Sequence, residues 1–579
     1  MPMRSRNLPR RSVSTLFALF ALCVAGPLPA SAQRALDFAG PYLAAREAAV
    51  ANDFAASARY SLLVLAADPE NMFLQEQALI AQVAVGDLAA AVPLAQSMAT
   101  GPRGSQMATL VQLADAAARG DYAGVEAIVA AGTNTGPMVD GLVRSWARLG
   151  GGQVSDALAG LDALAKDGGF AAFGLYHKAL ALASVGDFEG ADAILSGAEG
   201  GPLRATRRSV IAHVQVLSQL DRNADALSMI ADLFGPDPDP DIAALKRRLE
   251  SGEALPFTLI GSARDGLAEV FFTVAGALNS DTPDSYALGY ARLALHVRPE
   301  FPDAVLLVAS LLENMGQHEL ATGVYGKIAR GAEAFHAAEM GRAGALFAVG
   351  RKDQALEVLA ALARDYPDLP GVWSALGDMQ RRMQRYAEAA ASYDRAVEIY
   401  GAPAPEHWFL YYARGMAQER AGAWAESESD FRTALQLNPE QPQVLNYLGY
   451  SFVDRNENLD EALGMIERAV AKVPDDGAIV DSLGWVLYRL GRYSEAVGHM
   501  EKAASLMPVD SLVNDHLGDV YWAVGRQREA EFQWRRALSF EPETEAEAAR
   551  IRRKLELGLD AVLAEEGAPP LKAVAANGN

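Results

Sequence analysis

Between Gln443 and Pro542 one pattern recurs three times at a nearly fixed step. A small residue returns as Gly449, Gly484 and Gly518. The last step is 34 residues and the one before it 35, with the extra residue in the NENLDE turn. Behind each glycine follow an alanine (Ala462, Ala496, Ala530), a large apolar residue (Ile466, Met500, Trp534) and a second alanine (Ala469, Ala503, Ala537). A proline closes each unit at Pro474, Pro508 and Pro542, and turn glycines stand at Gly491 and Gly525. Two small sites let a first and a second helix approach closely, and the large residue fills the space beside them. The proline ring ends the second helix because it cannot continue the hydrogen-bond ladder. A chain built this way buries apolar surface only by stacking each unit on its neighbours.

This pattern resembles the tetratricopeptide repeat, a helix-turn-helix unit of about 34 residues. The resemblance implies an all-α fold, a right-handed α-solenoid superhelix of tandem repeats. From Gln33 the repeat is degraded but traceable through turns at Gly86-Asp87-Leu88, Gly120-Asp121-Tyr122 and Gly186-Asp187-Phe188. There glycine ends the first helix and aspartate caps the second. Pro93 falls in a second helix and predicts a kink or a late start. The stretch 235–262 breaks the period with two Asp-Pro steps, which resist helix. A short helix, about Ile242 to Ser251, can follow, and LPFTLI brings apolar residues back at once, so the stretch reads as a junction. The array then restarts, with a long turn at Asp281–Asp284 and small sites at Ala309, Ala343 and Gly377, each 34 apart. The expected organisation is 1–32 signal peptide, 33–234 degenerate array, 235–262 junction, 263–542 second array, 543–567 capping helix and 568–579 disordered tail. That is about six repeats before the junction and about eight after it.

Formal charge is −22. Phosphate binding requires a basic stripe, so this balance argues against a nucleic-acid partner. The first residues carry Arg4, Arg6, Arg10 and Arg11, then an apolar run from Val13 to Val24, then Ala30-Ser31-Ala32. That is the layout of a secretory signal peptide cleaved before Gln33, and it predicts a periplasmic protein. The single cysteine, Cys23, lies in this segment. Leu22 stands where lipoprotein signals place a small residue, so a lipid-anchored, outer-membrane location is the secondary expectation.

No motif for catalysis, metal or cofactor emerges. His318-Glu319-Leu320-Ala321-Thr322 starts like a zincin but lacks its second histidine, and Gly150-Gly151-Gly152 lacks the spacing of a dinucleotide fingerprint. The chain therefore reads as a non-enzymatic binder with no cofactor. By resemblance to the repeat family, a binding groove is lined by defined first-helix positions. Here these are Arg381 and Arg382, then Phe409, Tyr412, Met416 and Arg420, then Asn446 and Tyr450. Asp481, Trp485, Tyr488 and Arg489 follow, then Asp515, Asp519 and Trp522. Asp481, Trp485 and Tyr488 share one helical face. Aromatics and arginine are the residue types that dominate binding hot spots. Three aspartates stand where carboxylate-binding repeats carry bases, which argues against a carboxylate clamp.

The motifs GPYLAAREAAVANDFAASARY, GEALPFTLIGSARDGLAEVFF and LNYLGYSFVDR…LDEALGMIERAV…DSLGWVLYRLGRYSEAV…HLGDVYWAVGR resemble a family of bacterial envelope repeat proteins. This resemblance covers most of residues 38–542. It implies an adaptor that binds a carboxyl-terminal processing protease and brings it substrates such as cell-wall hydrolases. The alternative is a scaffold for envelope assembly or for polysaccharide or outer-membrane protein export.

Overall fold

The computed structural model describes residues 30–98, 104–132, 134–235, 238–278 and 284–571, with side chains from residue 38. Residues 1–29, which hold most of the expected signal segment and Cys23, lie outside the described residues. So do residues 281–283 of the expected long turn and 572–579 of the tail. Among the described residues all regular structure is helical and there is no strand. The chain divides into two compact units, Met1–Ala338 and Glu339–Asn579.

The first unit opens with antiparallel helix pairs. The second helices begin at Phe54, Leu88, Tyr122 and Phe188. Each is capped by an aspartate (Asp53, Asp87, Asp121, Asp187) whose side chain accepts the N–H three residues on. Gly86 supplies the left-handed turn before such a cap, with φ of 93°. Pro93 sits inside the helix Leu88–Ser97, which starts directly behind its cap rather than late. The junction forms the helix Pro240–Glu250 and packs rather than trails. Ile242, Leu249 and Leu255 are buried with Val210, Val214, Leu217 and Ile230, and Gln219 donates to the Leu255 carbonyl at 2.6 Å.

The sequence places the start of a second array at 263, whereas the compact units divide after 338. The reason is the seat of the 263–297 hairpin. Its helices, Ala263–Leu278 and Asp284–Val297, lie against the first helices of the early pairs: Met72–Val85, Gln106–Ala118, Pro137–Gly150 and Ala171–Ser184. Both hairpin helices are apolar nearly all round, which marks helices buried on every side. Gly266 leaves no room for a Cβ against the indole of Trp146. The buried carboxylate at this seam is paired. Glu269, buried, accepts from Arg208 Nη2 at 2.6 Å and from the Tyr176 hydroxyl at 3.0 Å. Most of the first-helix face of this array, from Gln106–Ala118 to Ala171–Ser184, is therefore covered by the chain itself.

In the second unit the pairs repeat regularly from Pro370–Arg382 with Tyr386–Tyr400 to Ser511–Ala523 with Gln527–Ser539. The small-site glycines contact the large residue of the partner helix. A Cβ on Gly377 would come within 2.7 Å of the Tyr393 ring, and one on Gly415 within 2.8 Å of Phe431. Gly449, Gly484 and Gly518 face Ile466, Met500 and Trp534 in the same way. The glycine-to-large-residue match read from the sequence is thus the physical contact that sets the distance between paired helices. Two short helices, Glu545–Leu557 and Leu559–Glu565, end the unit.

Candidate functional site

The expected groove residues all lie on first helices of the second unit, and the structure sorts them into an open part and a closed part. The open part begins at Pro370–Arg382. Arg381 is partly buried and donates to the Tyr393 hydroxyl at 3.3 Å. Arg382 is exposed, with its guanidinium 4.1 Å from the Phe347 ring centroid. On the helix Trp408–Arg420, Phe409 is 48% exposed, edge-on to Tyr412 at 6.2 Å between centroids. Tyr412 in turn meets Tyr447 of the next first helix at 5.9 Å. Met416 packs partly buried against the core, and Arg420 lies over Tyr386. Asn446 and Tyr450 are both partly buried on Pro442–Arg455. The Asn446 Oδ1 atom is buried with no hydrogen-bond partner. Burial, with Asp481, Asp454 and Glu547 around it, pushes the Tyr450 hydroxyl well above its usual range. Arg489 lies beside Tyr450 and Tyr488, where its charge works against that rise.

The closed part is held by the chain's own residues. Asp481 is buried and its Oδ2 meets His516 Nδ1 at 2.9 Å, while its Oδ1 has no partner. Trp485 is stacked between Tyr488, at 4.7 Å, and His516, at 3.9 Å. Tyr488 itself is buried. Asp515 and Asp519 are also buried, and Lys554 of the terminal helix reaches both. Its Nζ lies 2.8 Å from Asp515 Oδ2 and 2.7 Å from Asp519 Oδ1. Burial pushes the Asp519 carboxyl up; Lys554 opposes this and Asp515 adds to it. Trp522 donates through Nε1 to Asp560 at 2.9 Å and packs under Gly558. The acidic positions that the sequence assigns to a groove thus carry internal partners here.

Three contributors were missed at the level of sequence. His516 and Lys554 sit 35 or more residues from the carboxylates they meet, and Tyr447 occupies a position the repeat pattern leaves unassigned. Lys554 had one signal: it flanks the apolar stripe Ala548, Ile551 and Leu555 of the terminal helix. A second recurrent feature is also visible only in three dimensions. Arg468, Lys502 and Arg536, each 34 apart, reach back to the carbonyls of Pro439, Pro474 and Pro508 at 2.8, 2.6 and 2.8 Å. Each cation satisfies a carbonyl in the turn of the preceding unit.

Among the described residues no cluster of histidine, cysteine or carboxylate could hold a metal ion, and no helix is long and apolar enough to cross a membrane. What remains is a partly open face with aromatic rings, arginines and a buried amide oxygen lacking a donor.

The tetratricopeptide repeat family description matches residues 340–405, 412–476 and 448–511. The chain is similar to a TPR repeat-containing protein of Pseudomonas aeruginosa, 31% identical over 167 residues, or 27% of this chain and 26% of that one. It is also similar to anaphase-promoting complex subunit 6 of Arabidopsis thaliana, 27% identical over 145 residues, 25% of this chain and 26% of that one. The chain thus spans about a quarter of the length of these curated relatives. Among solved structures it is similar to the APC/C hetero-tetramer Cut9–Hcn1, at 14% identity and a TM-score of 0.38 over 90% of this chain and 96% of that one. Yeast Tom70 gives 15% identity and a TM-score of 0.33 over 93% and 99%. Residues 340–405 and 412–511 thus match the tetratricopeptide repeat, a repeat type that serves as a scaffold for protein–protein interaction.

Proposed function

We propose that this chain is a non-enzymatic periplasmic adaptor, and that its second unit holds a protein segment on the open first-helix face. The observation that carries this reading is the exposed ring of Phe409 beside Tyr412, with Arg381, Arg382, Arg420, Tyr450 and Arg489 on first helices of the same unit. Rigid aromatics bury large area at small entropic cost, and arginine adds planar hydrogen bonding. The terminal helices close the far end of this face, so a bound segment contacts the Arg381-to-Arg489 stretch. The resemblance to envelope adaptors supports one physiological role: a second surface docks a carboxyl-terminal processing protease while the groove presents a substrate such as a cell-wall hydrolase. Tethering raises the substrate's effective concentration at the protease without any new catalytic group.

The test is photo-crosslinking in the native cell from a benzoylphenylalanine placed at Phe409, with Val509, exposed and on a turn, as the control position. Adducts formed at 409 and absent at 509, containing cell-wall hydrolases or the protease, are the expected result. Adducts with export or assembly components would replace this reading with the envelope-assembly alternative. Equal adducts at both positions would remove the groove from the account.

A further inference from the structure

The first unit carries an open cavity of about 400 Å³ at its beginning, between the helices Ala30–Val50 and Met72–Val85. The helix Phe54–Ala67 packs on both and forms the floor with Val64, while the two outer helices hardly meet. The walls are Tyr42 and Val50 on one side and Phe73 and Gln77 on the other, and Arg46 is the one charged lining group. Arg46 is exposed, and no hydrogen bond or ion pair engages it among the described residues. Large apolar side chains are uncovered beside the cavity: Leu43 is 60% exposed, Val50 76% and Phe73 58%. The volume falls in the range of sites that take ligands.

We infer that this groove seats a helical segment of a partner protein that is apolar along one stripe and places a carboxylate opposite Arg46. Two observations identify the occupant. The first is continuity. Phe73, Gln77, Ile80 and Ala84 follow one face of the helix Met72–Val85 at spacings of 4, 3 and 4 residues. At the Ala84 end a helix is already in place: Asp284–Val297 packs on Met72–Val85, and Arg292 Nε donates to the Ala84 carbonyl at 3.2 Å. The surface that accepts an internal helix at one end continues, uncovered, to Phe73 at the other. The second is charge. The chain is strongly acidic, yet this groove offers a single free guanidinium and no carboxylate in its lining. A segment with an acid at that point gains a pair, and one with a base meets repulsion. This site is separate from the Phe409 face and does not depend on its role.

The test uses the full mature chain and a fluorescein-labelled 16-residue helical peptide. Leucines stand at positions 2, 6, 9 and 13 of the peptide on one stripe, and a glutamate lies centrally beside them. A second peptide carries lysine in place of the glutamate. Fluorescence anisotropy should show the glutamate peptide binding about tenfold more tightly than the lysine peptide at low salt, the gap narrowing as salt rises. Arg46→Glu should invert the preference. Phe73→Asp should abolish binding of both peptides with the helical circular-dichroism signal unchanged, since both residues are exposed. Phe409→Ala should leave the affinities as they are, which separates this site from the other face. An unchanged preference in Arg46→Glu, or no binding of either peptide, overturns the proposal. So does concentration-dependent dimerisation lost in Phe73→Asp without peptide binding, which would assign the groove to a second copy of the chain.

Discussion

Two buried histidines respond to pH with opposite sign, and each difference follows from its nearest neighbours. His177, in the first unit, accepts a hydrogen bond at Nδ1 from Trp146 Nε1 at 3.1 Å. Indole only donates, so the histidine proton sits on Nε2, which has no partner. Burial lowers the ring's pKa to about 3. The unfolded chain therefore binds a proton that the folded one refuses. The contribution of His177 is complete above about pH 6.5 and is lost as pH falls below it. His516, in the second unit, is equally buried, and burial disfavours its charge. Asp481, hydrogen-bonded to it, with Asp515 and Asp519 nearby, outweighs that and raises its pKa. Its contribution is complete below about pH 6.5 and fades as pH rises through the raised value. Thermal unfolding followed from pH 5 to pH 8.5 should show His177→Gln reducing the acid sensitivity of the first unit. His516→Gln should reduce the loss of stability of the second unit toward alkaline pH. The same direction of change in both variants would contradict the assignment.

At the scale of helices, the repeat spacing made the second unit legible. Gly484 and Met500, or Gly518 and Trp534, could be paired from sequence because a 34-residue step fixes which small site faces which large one. The seat of the 263–297 hairpin was not legible. A helix apolar all round announces burial but not its partner, and Glu269 meets Tyr176 and Arg208 across 93 and 61 residues. The same distance in sequence hid the role of the terminal helix. That helix is more than a polar lid: Lys554, with no exposed side-chain surface, pairs with two aspartates, one of them almost equally buried. Removing one partner of a buried charge cluster costs about 3–5 kcal/mol, because the remaining charges stay desolvated. Lys554→Ala should lower the stability of the second unit by an amount of that order in denaturant unfolding. The triple change Asp515→Asn, Asp519→Asn and Lys554→Met should recover much of the loss. If Lys554→Ala unfolds like wild type, the terminal helix does not hold the closed part of the face.

At the scale of the molecule, the proposed binding surfaces fall one on each unit. The first has spent most of its first-helix face on its own hairpin and keeps a groove open at its beginning. The second leaves Arg382, Phe409 and Arg420 exposed and closes the end of its first-helix face with His516, Lys554 and Trp522. A formal charge of −22 argues against a nucleic-acid partner, and the arginines at these surfaces are local exceptions to that balance. The proposed envelope location and protease partnership rest on the signal-like first residues and on the family resemblance, and the exposed Phe409 face rests on geometry. The most direct test joins the two. The tagged full-length protein and its Phe409→Ala, Tyr412→Ala double variant should be purified from the native envelope, and the co-purifying proteins identified by mass spectrometry. The account predicts a processing protease with both forms, and cell-wall hydrolases with the wild type alone. Recovery of the same hydrolases with the double variant, or of no protease with either form, would contradict it.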